Sequence, residues 1–136
     1  LFALNGKDLT IYGDGKSVRD YLFVADHCEA IDLILHVGKS GETYCVGGGS
    51  EKNGIEIADA ILDAVPETVS TKKFVTDRPG HDLRYAIDHS KLTRELNYNP
   101  SVTFEEGLEK TITWYRNNEW WWKPIMDDLY VPNFLK

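Results

Sequence analysis

Apolar and polar positions along this chain switch repeatedly between two periods. Short β-rich runs alternate with longer stripes at helical spacing. "LTIYG" reads as a strand ending in the Gly13-Asp14-Gly15 turn, and "DYLFV" as a second strand. "DHCEAIDLILHVGKSG" then places Ala30, Ile31, Ile34, Leu35 and Val37 on a helical stripe closed by Gly38. "ETYCVGG" has strand composition, and "IEIADAILDAV" predicts a helix halted by Pro66. "KKFVTD" and "RYAID" predict strands on either side of "RPGHD", and "SKLTREL" predicts a helix before the turn "NYNP". A last helix is expected from Thr103, with Glu106 at capping-box spacing and Leu108, Ile112 and Tyr115 on one face. An aromatic-rich tail follows. Alternation of this kind predicts an α/β fold with at least some parallel strands.

The 136 residues suffice for one moderate core, either a single domain or a piece of a larger one. The opening "LFALNGKDL" lacks an initiator Met and reads as the apolar end of a helix stopped near Asn5-Gly6. At 42% hydrophobic and 27% charged the composition is globular rather than disordered. A net charge of −7 argues against a nucleic-acid partner, which requires clustered Lys and Arg, but leaves room for a small anion held by a few local arginines. Cys28 and Cys45 each lie in an apolar stretch and read as buried, reduced thiols of a cytosolic protein, with a disulfide as the minority reading. No apolar run approaches a membrane span, and His27, His36, His81 and His89 lack metal-ligand spacing.

Three turns carry candidate chemistry. "YGDGKSVRD" ends like a phosphate-binding P-loop, but Thr10 stands where the first glycine belongs, and β-branched and aromatic residues follow where a helix is required. What remains is Tyr12 at a strand end, able to offer its ring to a base, and Arg19, able to grip an anion; core packing and pairing with Asp20 are the competing readings. In "DRPGHD" Pro79 forces Arg78 towards an extended backbone, and Gly80 can take the positive φ of a tight turn. Arg78 is thus presented from a stiff strand end, suited to phosphate or carboxylate, or else to a salt bridge with Asp77 or Asp82. "YCVGGGSEKNGIEIADAIL" has the order strand, glycines, helix, yet Lys52 replaces the third glycine of a dinucleotide fingerprint. It reads instead as a turn into a helix capped near Ser50 or Asn53. The Trp120–Trp122 triplet reads as a patch that packs on another part of the protein. These turns supply binding groups, while no catalytic set stands out.

Taken together, "LTIYGDGKSVRDYLFVADH", "GETYCVGGGSEKNGIEI" and "DRPGHDLRYAIDHSKLTRELNYNPSVTFEEGLEKTITWYRNNEWWWKP" closely resemble the C-terminal part of the dTDP-glucose 4,6-dehydratase family, within the extended short-chain dehydrogenase/reductase superfamily of NAD(P)-binding Rossmann-like proteins. "YGDG…RD" is shared with related epimerases and decarboxylases, whereas "DRPGHDxRYAID" is more specific to the dehydratases. The resemblance implies that Tyr12 contacts thymine with Thr10 and Ile11 alongside, although proline is commoner at position 10. It implies that Arg19 and Arg78 bind the two phosphates and that Asp77, Pro79, Gly80 and His81 form the same nucleotide-contacting turn. Where the family has a substrate-binding asparagine this sequence has Gly54, with Asn53 one residue earlier; either Asn53 serves instead or the contact is lost.

The resemblance further implies that residues 1–21 and 51–108 build a nucleotide-sugar lobe, while 22–50 and 109–136 pack on a Rossmann domain that these residues do not include. The family's reaction moves hydride from sugar C4 to NAD+, eliminates water across C5 and C6, and returns hydride to C6. The NAD site and the acid/base residues of that reaction lie upstream of the first residue here, so these residues alone are expected to be inactive. dTDP-glucose as substrate, a homodimeric full-length enzyme and a cytoplasmic location complete the expectation. Alternatives are an epimerase or dehydratase of UDP- or CDP-sugars and a non-catalytic nucleotide-sugar binding module.

Overall fold

Two small sheets set the frame, and both contain parallel pairs. The computed structural model describes residues 1–126, and the end of the aromatic tail, 127–136, lies outside the described residues. Strand β1 (Leu9–Tyr12) runs parallel to β4 (Lys72–Val75), with Ile11 opposite Phe74 and Tyr12 opposite Val75. In the second sheet β2 (Val18–Asp20) is central, antiparallel to β3 (Glu51–Asn53) and parallel to β5 (Arg84–Tyr85). Parallel neighbours need long crossovers. Helix α2 (Gly54–Ala64) lies in the connection leading to β4 and packs on β1 and β3.

Sequence explains most helix limits. Asn53 caps α2 with a complete capping box, its Oδ1 accepting from the amides of Ile55 and Glu56 while Glu56 accepts from the Asn53 amide. Thr103 and Glu106 form the expected box at the start of α4 (Phe104–Asn117). Helix α1 (Val24–Val37) has no side-chain cap; it follows directly on residues that pattern alone assigns to a strand. The predicted strand "DYLFV" therefore ends early: beyond Asp20 the Tyr21 amide still donates to the Ser50 carbonyl at 3.0 Å, and Leu22 and Phe23 lead into the helix. Helix α3 (Ser90–Leu96) stops at Asn97, which adopts the left-handed conformation. A further helix, α5 (Glu119–Met126), carries Pro124.

The main buried cluster joins α1 to α3 through Ala30, Leu92 and Tyr98, with Leu33, Ile34, Tyr44, Val46 and Leu96 packed around it. "ETYCVGG" thus supplies two core side chains, but it pairs with no strand among the described residues and is irregular rather than extended ladder. Cys28 and Cys45 are free and exposed, against the expectation that apolar neighbours would bury them. Asp26 is the main buried charge: its carboxylate accepts from Ser101 Oγ at 2.7 Å and the Val102 amide at 3.0 Å, tying α1 to the approach of α4. Burial pushes this carboxyl upward, but the hydrogen bonds from Ser101 and Val102 together outweigh it and hold it below the ordinary aspartate value.

Candidate functional site

Parallel strands β1 and β4 end side by side, and the two turns singled out from sequence leave from those ends. The Gly13 amide donates to the Val75 carbonyl at 3.0 Å, which holds the start of one turn against the start of the other. Gly13 has φ +58°, and a Cβ there would stand 2.8 Å from Asp77 Oδ2, so the glycine is needed both for its conformation and for the close approach. Ligands in open α/β sheets bind outside the carboxyl ends of parallel strands, which is where these turns meet.

Within the second turn Asp77 is the organising group. Its Oδ1 accepts from the Arg78 amide at 2.9 Å and pairs with His81 Nδ1 at 2.7 Å. Gly80 takes φ +74°, as the turn requires, and the His81 amide donates to the Arg78 carbonyl. The His81 ring stands edge-on to Tyr12, with ring centroids 6.4 Å apart. Tyr12 is half exposed, and Thr10 is exposed beside it on the strand, whereas Ile11 is buried and faces the core. Ile11 can therefore reach a ligand only through its backbone.

The two candidate arginines are held differently. Arg19 on β2 donates from Nη1 to its neighbour Val18's carbonyl at 2.6 Å and to the Asp82 carbonyl at 3.1 Å, which links the middle of the second sheet to the Asp77–His81 turn. Arg78 is exposed, and among the described residues its guanidinium has no hydrogen-bond or ion-pair partner. The competing salt bridges to Asp77 and Asp82 do not form. Asp77 is occupied by His81, and Asp82 offers its backbone carbonyl to Arg19.

Asn53 borders the same region, because the Gly15 carbonyl accepts from the Ile55 amide at 3.3 Å and seats the first turn on the start of α2. The Asn53 carbonyl oxygen is occupied by the helix cap, so its amide NH2 is the group it can offer a ligand. Lys16 pairs with Asp14 at the exposed tip of the turn and takes no phosphate-loop position.

Sequence reasoning missed two anchors. Asp20 accepts from the Gly48 amide and the Ser50 amide, each at 2.8 Å, which fixes the glycine run. Arg84 and Glu51 form a two-pronged pair at 2.7 and 2.6 Å between the outer strands of the second sheet. The hydrogen bond to Arg84 lowers the Glu51 carboxyl below its ordinary value, and the same bond raises Arg84. Both anchors join residues about thirty positions apart, a separation at which spacing carries no signal.

The glycine run does not fit a dinucleotide. Its Gly48 amide is taken by Asp20, and a Cβ at Gly47 or Gly48 would meet the backbone of Ile87 or Tyr21, so the glycines serve internal packing rather than the approach of a pyrophosphate. Among the described residues no group of His, Cys, Asp and Glu could hold a metal ion, and no helix is long and apolar enough to cross a membrane.

A separate groove of about 1090 Å³ contains no residue of the Tyr12–Asp20 or Asp77–Asp82 turns, although Gly48 and Ser50 of the glycine run line it. It is lined by side chains such as Tyr21, Phe23, Phe104, Leu108, Trp114 and Trp121, a lining suited to apolar packing more than to a charged sugar nucleotide.

Comparison with known proteins finds similarity to GDP-mannose and dTDP-glucose 4,6-dehydratases. Residues 2–111 match the family described as GDP-mannose 4,6 dehydratase. A dTDP-glucose 4,6-dehydratase of Xanthomonas campestris pv. campestris is 50% identical over 138 aligned residues, covering 94% of this chain and 39% of the relative. Among solved structures, the dTDP-glucose 4,6-dehydratase of Bacillus anthracis in complex with NAD is similar, with a TM-score of 0.83 at 49% identity over 90% of this chain and 39% of that one. The Streptomyces venezuelae dTDP-glucose 4,6-dehydratase with NAD and TYD bound also reaches 0.83, at 43% identity over 90% of this chain and 38% of that one. The chain thus spans about 39% of the length of the curated relatives it matches.

Proposed function

The chain belongs to the GDP-mannose 4,6 dehydratase family, and from that premise we propose that it forms the nucleotide-sugar-binding part of a dTDP-glucose 4,6-dehydratase. Its α/β fold is that of the corresponding part of the extended short-chain dehydrogenase/reductases, Rossmann-like enzymes that include the solved dehydratases. The single observation that carries the proposal is the pair of interlocked strand-end turns, with the Tyr12 ring on one and, on the other, the Arg78 guanidinium, which has no partner among the described residues. A nucleoside diphosphate needs both an aromatic face for its base and a cationic fork for its phosphates. Thr10, Ile11 and Asn53 border the base and sugar in this reading. Arg19 serves beside Arg78, and Asp77, Pro79, Gly80 and His81 shape the turn.

In the longer protein the proposed reaction converts dTDP-glucose to dTDP-4-keto-6-deoxyglucose with NAD+ as internal hydride carrier. The residues described here do not fit NAD, so no hydride step is assigned to them. Their part is to bind and orient the diphosphate and base. We assign 1–21 and 51–108 to the nucleotide-sugar lobe, and 22–50 and 109–136 to surfaces covered by the remainder of the longer protein. The groove lined by Trp114 and Trp121, and the exposed Ile31, Leu35 and Val37 of α1, support that assignment. The reading also takes the full protein as a cytoplasmic homodimer, which sedimentation and cell fractionation test.

Calorimetric titration of the full-length protein with dTDP and with UDP tests the substrate class. Tighter binding of dTDP is expected. A preference for UDP would replace the dehydratase reading with that of a UDP-sugar epimerase, and binding of neither would remove both of these readings.

A further inference from the structure

Strand β3 has little of its own to fix its register. It is three residues long, lies at the edge of its sheet and reads Glu-Lys-Asn, with no apolar side to tell one pairing from the next. Short polar strands flanked by glycine are the kind whose pairing slips. Three glycines, Gly47 to Gly49, precede it. A Cβ at Gly48 would stand 2.1 Å from the Tyr21 carbonyl oxygen, but that space would also accept either neighbouring glycine. The Glu51–Arg84 pair joins β3 to β5, yet both side chains are exposed, and exposed pairs contribute little.

Contacts from the end of β2 supply what β3 lacks. Asp20 accepts the Gly48 amide on Oδ2 and the Ser50 amide on Oδ1, each at 2.8 Å, and the Tyr21 amide donates to the Ser50 carbonyl at 3.0 Å. From that grip the ladder counts off Glu51 opposite Asp20, Lys52 opposite Arg19 and Asn53 opposite Val18. The next residues seat on the first turn: the Ile55 amide donates to the Gly15 carbonyl, and a Cβ at Gly54 would stand 3.3 Å from the same oxygen. A slip of one residue would bring Lys52 or Gly54 opposite Val18 and turn the Asn53 side chain to the other face of the sheet. We propose that Asp20 is a positioning residue for sugar-nucleotide binding, fixing the register of β3 and so delivering the Asn53 side-chain NH2 to the sugar. This rests on the assignment of Asn53 to the sugar made above. Both Asp20 oxygens are occupied by the grip, so Asp20 acts through Asn53 rather than on the ligand.

The test is calorimetry of dTDP and of dTDP-glucose binding to the full-length protein, as wild type, Asp20→Asn, Asn53→Ser and the double variant. Asp20→Asn offers one acceptor and an NH2 to two amide donors, which breaks the grip with little change of shape. It should weaken dTDP-glucose by about tenfold, the scale of one hydrogen bond, and dTDP much less. In the Asn53→Ser background the same substitution should take nothing further from the preference for dTDP-glucose over dTDP. Should Asp20→Asn fail to fold, Asp20→Glu keeps the charge but sets the carboxylate one methylene farther out, and the same selective loss is expected of it. A loss confined to stability, or one equal for the two ligands, overturns the inference and leaves the nucleotide reading intact. A selective loss that is as large in the Asn53→Ser background overturns it too, because Asp20 would then act elsewhere. An Asn53→Ser protein with wild-type affinity for dTDP-glucose removes the assignment of Asn53 and the inference with it. Failure of the wild-type protein to bind either ligand removes the reading beneath both.

Discussion

The Asp77 carboxylate lies so close to Gly13 that a Cβ on the glycine would stand 2.8 Å from Oδ2. This contact couples the turn that presents Tyr12 to the turn that presents Arg78. Gly13→Ala would force a left-handed residue with a side chain into that space, costing about 1–2 kcal/mol from the backbone alone. Chemical denaturation should register the loss of stability, and dTDP binding should weaken beyond it because Asp77 must move. Unchanged dTDP affinity in the Gly13→Ala variant would show that the two turns act independently.

Asn53 has one role that the hydrogen bonds make plain and one that is proposed. Its side chain completes the capping box of α2, so Asn53→Ala should reduce stability by about 1 kcal/mol in urea unfolding. Asn53→Ser keeps the cap but not the amide NH2. If that NH2 meets the sugar, the serine variant should retain stability while binding dTDP-glucose more weakly and dTDP unchanged. Equal affinities in serine variant and wild type would confine Asn53 to capping.

Asp26 makes stability depend on pH with a definite sign. Burial raises its carboxyl, but the Ser101 and Val102 hydrogen bonds prevail and the folded value lies below the unfolded one. A lowered carboxyl contributes stability that is fully present above the unfolded value, about 4, and is lost as pH falls through the folded value. Asp26→Asn should cost about 1–3 kcal/mol near neutrality, since one of the two donors loses its acceptor. The variant should also lose part of the acid dependence of thermal unfolding, so the two proteins should converge in stability at low pH.

What the sequence made legible was local. Asn53 and Thr103 with their glutamates, Asn5-Gly6 as a stop, and the positive φ of Gly80 each follow from chemistry within a few residues. The alternation of elements pointed to the α/β class and the parallel pairs. "ETYCVGG" misled because β-rich composition records burial as much as pairing: Tyr44 and Val46 go to the core without a neighbouring strand. Cys28 lies on α1, whose apolar residues occur on more than one face, so that Ile31 and Leu35 are exposed as well. The Asp20 grip on Gly48 and Ser50 and the Arg84–Glu51 pair depend on chain segments brought together only by folding. For the site, sequence placed Tyr12 and Arg78 at strand ends. That the two strands are parallel neighbours in register is what brings those ends together.

Arg19 and Arg78 offer the sharpest contrast. Arg19 holds the Val18 and Asp82 carbonyls, so Arg19→Ala should lower both stability and dTDP affinity. Arg78 has no guanidinium partner among the described residues, so its removal should leave stability unchanged. The most direct measurement is therefore calorimetric titration of dTDP into full-length wild-type and Arg78→Ala proteins of equal thermal stability. Weakening by about 1.5–3 kcal/mol is expected, the worth of hydrogen bonds to a charged phosphate. Equal affinity of the two proteins would contradict the assignment of Arg78 to the phosphate grip.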